Sequence, residues 1–170
     1  EMLDAGLLVE RDDGTLRDRF RNRLMIPIRD GQGRIVGFGA RALDPNDQPK
    51  FLNSPQTPLF NKGETVYALD RARKAIATTG VAVLVEGYMD VMAAHQAGFT
   101  NVVSAMGTAL TETQLRLIKK FAKRIVLALD ADVAGDKATL RGLNVARETL
   151  ERDYTPAFDA RGLIRSEGKL

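Results

Sequence analysis

Val81-Ala82-Val83-Leu84-Val85-Glu86-Gly87-Tyr88-Met89-Asp90 is the stretch on which the reading of this chain turns. Five apolar residues run without a polar interruption and then stop on an acid. A strand with one wet face alternates apolar and polar residues. An unbroken run belongs to a strand covered on both faces, as in parallel sheets. Glu86 therefore leaves the sheet at a strand's carboxyl end, where open α/β sheets bind their ligands.

The pattern repeats outward from this stretch. Ala68 to Thr79 has helical spacing, as does Met89 to Gly98, with Gly98 as a stop. Asn101 to Ala105 reads as a second short strand. Thr111 to Lys123 reads as a helix with Thr111 as its N-cap. Arg124 to Leu129 is a third apolar strand, and Asp132 to about Glu151 is helical again. Strands alternating with helices define βαβ units, hence an α/β fold with a central parallel sheet flanked by helices.

Upstream the pattern differs. Met2 to Leu8 has the spacing of a short helix, and Arg11 to Gly14 makes a turn. Leu24 to Arg29 is a strand in which Pro27 implies an edge or a bulge. Asp30-Gly31-Gln32-Gly33 is a hairpin turn, and Arg34 to Arg41 is the return strand. The proline-rich 44–58 stretch is a loop, with an extended piece at Lys50 to Asn53. We therefore expect a small mixed α+β module with a β-hairpin over residues 1–66 and an α/β module over 67–170.

The composition of the 170 residues is globular, with 44% hydrophobic and 28% charged residues. No apolar run approaches the ~20 residues of a membrane helix, and no signal-peptide pattern is present, so no membrane is expected as a partner. With no Cys and one His, a metal must be held by oxygen, which favours magnesium or manganese over zinc. From Arg17 to Lys62 nine Lys and Arg face four Asp, a surplus of five. That surplus can steer a polyanion to the upstream module or can form a solvated charged face. Both ends of the sequence read as boundaries inside a longer chain.

Two of the three α/β strand ends deliver acids: Glu86, with Asp90 after it, and Asp130-Ala131-Asp132. Alternate residues of an extended segment point the same way, so Asp130 and Asp132 can face one ion. Oxygens gathered at one rim can hold divalent cations that neutralise phosphate charge and activate an oxygen nucleophile. Each acid alone has a structural reading: Asp132 as a helix cap, Asp130 and Glu86 as exposed strand-end residues. Asp90 lies one turn into the next helix and either supports the site through a neighbour or faces water. His95, in mid-helix, reads as structural.

Glu86-Gly87-Tyr88-Met89-Asp90, Gly107-Thr108 and Asp130-Ala131-Asp132-Val133-Ala134-Gly135 together resemble the TOPRIM domain of primases, topoisomerases and some nucleases. Arg19-Phe20-Arg21-Asn22-Arg23-Leu24-Met25-Ile26-Pro27-Ile28-Arg29-Asp30 is similar to the bacterial replicative primase of the DnaG type. So are Gly37-Phe38-Gly39-Ala40-Arg41, Pro49-Lys50-Phe51-Leu52-Asn53-Ser54-Pro55 and Phe60-Asn61-Lys62-Gly63. The resemblance covers roughly residues 1–150 and implies a TOPRIM catalytic domain over 67–170, with 1–66 as part of a basic nucleic-acid-binding subdomain.

It also implies a cytoplasmic bacterial enzyme of the replication fork that adds ribonucleotides to an RNA primer on single-stranded DNA. Two or more Mg2+ or Mn2+ ions would be bound through Glu86, Asp130 and Asp132. Arg41, Lys50 and Lys62 match basic positions that track nucleic acid, with Asn53 beside them. Phe51 stands where an aromatic is usual, either stacking a base or packed in the core. Glu86 is either a ligand, which we prefer, or a proton acceptor.

The implied partners are single-stranded DNA, ribonucleoside triphosphates, the RNA primer, and a replicative helicase bound through a region absent here. The family's further acidic pair, usually Asp-Pro-Asp, has no counterpart. Tyr154 to Leu170 reads instead as an extended or hairpin insertion, so the isolated chain is expected to be weakly active or inactive. The rival readings are another TOPRIM enzyme, a nuclease or topoisomerase, and a non-catalytic DNA-binding module.

Overall fold

The computed structural model describes residues 1–106, 110–129, 155–158 and 164–167, the last two segments by backbone alone. The chain divides into two compact units, Glu1–Asn61 and Lys62–Leu170.

The first unit is built of hairpins. β1 (Leu8–Glu10) pairs antiparallel with β2 (Leu16–Asp18), and the turn between them closes with the Gly14 N–H donating to the Arg11 carbonyl at 2.9 Å. β3 (Arg23–Arg29), β4 (Ile35–Ala42) and β5 (Phe51–Asn53) form an antiparallel sheet in that order. Pro27 has no N–H to give, and it sits on the edge strand β3, next to a register shift between Ile28 and Arg29. The Asp30 carboxylate accepts the backbone N–H groups of Gln32 and Arg34, which holds the β3–β4 turn closed. Its pKa is lowered overall: burial acts to raise it, but the Arg34 side chain and the two backbone donors outweigh that.

The expected helix at Met2–Leu8 does not form. Gly6, at φ 68°, ends the helical turn that begins at Glu1, and Leu8 enters β1 instead. Leu8 and Val9 are both partly buried and, as consecutive strand residues, point to opposite faces of β1. The partner strand β2, fully exposed and only three residues long, shows no periodicity from which it could be read.

The second unit has the expected α/β pattern. α1 (Leu69–Thr79), β6 (Val81–Val85), α2 (Tyr88–Gln96), β7 (Val102–Ser104), α3 (Glu112–Lys119) and β8 (Arg124–Ala128) alternate along the chain. β7, β6 and β8 are parallel and adjacent, with β6 in the middle. Ala82 and Leu84 of β6 pack with Leu69, Ala72 and Ile76 of α1 and Leu115 and Ile118 of α3. Val83 and Val85 pack toward Val91 of α2 and Val102. Both faces of β6 are thus covered, which is why its sequence shows no polar alternation.

Thr111 caps α3: its hydroxyl accepts the Gln114 N–H at 3.1 Å, and the Gln114 side chain accepts the Thr111 N–H at 3.1 Å. α3 stops at Lys119, short of the expected Lys123, because the chain must turn there. The N–H groups of Lys123 and Arg124 both bond the Gly80 carbonyl, which brings β8 alongside β6.

The tail forms the expected hairpin of β9 (Thr155–Phe158) and β10 (Ile164–Glu167). β10 pairs antiparallel with β8, so the five-stranded sheet runs β7-β6-β8-β10-β9. The expected helix from Asp132 lies outside the described residues.

Candidate functional site

The carboxyl end of β6 places Glu86. It is half-buried, and Gly87 begins α2 in an extended conformation, φ −120° and ψ 162°. The Glu86 carbonyl accepts the Ser104 hydroxyl at 2.7 Å. The Gly87 N–H donates to the Asp90 Oδ2 at 3.0 Å, which closes one side of a helix cap. A Cβ on Gly87 would stand 3.2 Å from that Oδ2, so a side chain there makes the Asp90 carboxylate shift by a few tenths of an ångström. Asp90 is exposed, and its carboxylate bonds the backbone at the start of α2.

Asp130 and Asp132 lie outside the described residues, as do Gly107 and Thr108. What the structure fixes is the register before them. Ala128 of β8 stands beside Val85 of β6, so the two strands end level, and Asp130 is two residues further along the sequence. The donor chemistry fits a hard divalent ion. Glu86 supplies carboxylate oxygen, and the single His95 is occupied by the Val102 carbonyl at 2.8 Å from Nε2. Among the described residues no three His, Cys, Asp or Glu gather, so Glu86 needs acids from elsewhere in the chain to hold an ion.

Of the four expected nucleic-acid contacts, three stand in the first unit. Arg41 and Phe51 are register neighbours on β4 and β5. The Arg41 guanidinium lies 5.9 Å and the Lys50 ammonium 5.7 Å from the centre of the Phe51 ring. Phe51 is 43% exposed, which decides against the core alternative. The Asn53 carbonyl accepts Arg19 Nη2 at 3.3 Å. Asn53 Oδ1 and Arg19 Nε are buried with no hydrogen-bond partner among the described residues. Lys62 opens the second unit in a short 3-10 turn, Lys62–Glu64, and partial burial lowers the pKa of its ammonium.

The sequence reading missed a groove in the first unit. Arg17, Arg19, Arg21 and Arg23 line it together with Asn22, Asp47 and Leu52, around a volume of about 590 Å³. Among the described residues none of the four arginines forms an ion pair. Asp47, the acid in the groove wall, accepts the Asn22 side chain at 3.3 Å. The arginines recur at every second position, but they do not lie on one extended strand: β2 ends at Asp18, Asn22 is left-handed at φ 50°, and β3 begins at Arg23, so the fold rather than the spacing brings them together. Leu52 faces this groove, so its neighbour Phe51 faces the other side of β5.

Lys62 and Thr65 are tied to α3 by a residue that sequence reading did not single out. Gln114 is fully buried, and its Nε2 donates to both the Lys62 and the Thr65 carbonyls at 2.9 Å. The Thr111 hydroxyl donates to the Gly63 carbonyl at 2.6 Å.

Residues 83–157 match the family described as Toprim-like, and residues 1–73 match the DNA primase catalytic core, N-terminal domain. The DNA primase of Deinococcus radiodurans is 51% identical over 146 residues, covering 85% of this chain and 25% of that protein. That of Halalkalibacterium halodurans is 49% identical over 146 residues, covering 85% and 24%.

Among solved structures, the E. coli primase catalytic core superposes with a TM-score of 0.79 at 42% identity, covering 90% of this chain and 48% of that one. A DnaG primase catalytic domain bound to single-stranded DNA superposes with a TM-score of 0.79 at 41% identity, with the same coverage. The chain belongs to the DnaG-type bacterial DNA primases, and spans about a quarter of the length of the curated relatives it matches. Among the described residues no helix is long and apolar enough to cross a membrane.

Proposed function

We propose that this chain is the part of a bacterial primase that holds template DNA and joins ribonucleotides into an RNA primer, by metal-dependent nucleotidyl transfer. The observation that carries the reading is Glu86 standing at the end of the central parallel strand, level with the β8 end that leads to Asp130 and Asp132. Residues 67–170 form the catalytic TOPRIM module in this reading, and residues 1–66 belong to the nucleic-acid-binding module.

Glu86, Asp130 and Asp132 would hold two or more Mg2+ or Mn2+ ions. Bound there, such ions lower the pKa of a primer 3′-hydroxyl and offset charge on the α-phosphate and the leaving pyrophosphate. The chain's own residues bind and orient. Arg41 and Lys50 flank an exposed aromatic ring on which a base can stack, their charges placed for the adjacent phosphates. The arginine groove has volume, four arginines against the single Asp47, and no ion pair among those arginines in the described residues, which suits a phosphodiester backbone. Arginine and lysine contacts to phosphates position a strand without reading its sequence. The single-stranded DNA in the related catalytic domain supports a template as the ligand. The remaining partners would be ribonucleoside triphosphates, the growing primer and a replicative helicase, in the bacterial cytoplasm.

The test is made in the longer protein, with Asp130→Asn and Glu86→Gln assayed for primer synthesis and for single-strand binding. The reading requires loss of synthesis with binding nearly unchanged. Wild-type synthesis from either variant removes the proposed role. DNA cleavage by the wild-type protein with magnesium and no nucleotides would point to a nuclease instead.

A further inference from the structure

The peptide unit between Glu86 and Gly87 is held at both ends by side chains. Its carbonyl accepts the Ser104 hydroxyl at 2.7 Å, and its N–H donates to Asp90 Oδ2 at 3.0 Å. Fixing this plane fixes ψ of Glu86 and φ of Gly87. Those two angles set how the strand end passes into α2, and hence the direction from which the Glu86 side chain departs.

Ser104 is not a residue that strand formation asks for at this place. It is fully buried, and Val102, Val103, Ala105 and Met106 around it are buried and apolar. A hydroxyl there is costly unless both its donor and its acceptor capacity are used. Both are used, and both on strand ends. Besides donating to Glu86, its oxygen accepts the Met106 N–H at 2.8 Å. Met106 has φ 60°, a left-handed conformation that a non-glycine residue keeps only where its surroundings hold it. The main chain of Ser104 also pairs with Tyr67, the Tyr67 N–H donating to its carbonyl at 2.9 Å. One side chain therefore joins the exits of β6 and β7.

We infer that Ser104 is a positioning residue for the cation site: it holds the Glu86–Gly87 peptide plane so that the Glu86 carboxylate is presented to a divalent ion without rearrangement. This rests on the reading of Glu86 as a ligand. A carboxylate on a freely turning strand end loses part of its affinity to ordering, and groups that orient ligands are worth about 10–100-fold in metal affinity.

Manganese binding to the 170-residue chain is followed by electron paramagnetic resonance, up to millimolar Mn2+. The variants are Glu86→Gln, Ser104→Ala, Ser104→Cys, and Ile118→Val as a control that loosens the core away from the rim. Ser104→Ala is expected to raise the Mn2+ dissociation constant about ten-fold, with single-stranded DNA affinity unchanged and with no matching change in Ile118→Val. Ser104→Cys, nearly the same size but a weak donor, should fall between, and it carries the test if the alanine variant does not fold. Wild-type manganese affinity in the folded serine variants, alongside loss in Glu86→Gln, overturns the positioning role alone. Wild-type affinity in Glu86→Gln, or no binding by the wild-type chain, overturns the ligand reading beneath it.

Discussion

Replacing both Arg17 and Arg21 by alanine tests the arginine groove with little risk to the fold, since both residues are exposed. Each line the groove, and among the described residues neither forms an ion pair. Binding of phosphates by such groups releases counter-ions, and each single-strand phosphate contact contributes about 0.7 to the slope of log affinity against log salt. Loss of two contacts should flatten that slope by about 1.4. Between 50 and 200 mM salt, a four-fold change, the advantage of wild type over the variant should shrink roughly seven-fold. Fluorescence anisotropy with a labelled single strand at four or five salt concentrations measures this directly. Thermal unfolding should show a change within about 0.5 kcal/mol, as for surface substitutions. Parallel lines for the two proteins would refute the reasoning, because they would mean that neither guanidinium meets a phosphate.

Two further predictions concern single residues. Phe51→Ala should weaken single-strand binding roughly ten-fold, in line with one stacked base worth about 1–3 kcal/mol. Its exposure predicts a stability change under about 1 kcal/mol, and a large fall in melting temperature would restore the core reading. Gln114→Ala leaves the Lys62 and Thr65 carbonyls and the Thr111 N–H without their partner. It should cost about 3 kcal/mol and roughly 10 °C in melting temperature; a calorimetric loss below about 1 kcal/mol would contradict that.

The second unit was largely legible because its signals are non-local only in a simple way. A strand covered on both faces must be apolar throughout, and 81–85 is, as is 125–128 after Arg124. Thr111 announced the α3 start as an N-cap, and the structure adds Gln114 as its reciprocal partner three residues on. The hairpin at Asp30–Gly33 was equally plain, its glycines following an acid that bonds the turn's own N–H groups. What could not be read depends on partners distant in sequence. Leu16–Asp18 is a strand because Leu8–Glu10 lies beside it, and nothing in three exposed residues says so. The α3 end is set by Gly80, which accepts from Lys123 and Arg124 more than forty residues away.

The same division holds for the candidate sites. Glu86 was visible as an acid ending an apolar run, and Arg41, Lys50 and Asn53 through resemblance. Ser104 was invisible, since a serine in a short strand has no pattern, and its bond to Glu86 exists only because parallel pairing sets it opposite Val85. The arginine groove was not read from the sequence, because it forms only when the fold brings Asp47 and Leu52 from another part of the chain beside the arginines.

The most direct test of the account locates the ion itself. Crystals soaked in manganese and recorded at its absorption edge reveal ions through anomalous scattering, with no reaction assumed. The account predicts a peak at the carboxyl end of β6, within coordinating distance of a Glu86 oxygen and an oxygen of Asp130 or Asp132. Manganese bound elsewhere, or Glu86 left outside the coordination sphere, would contradict it.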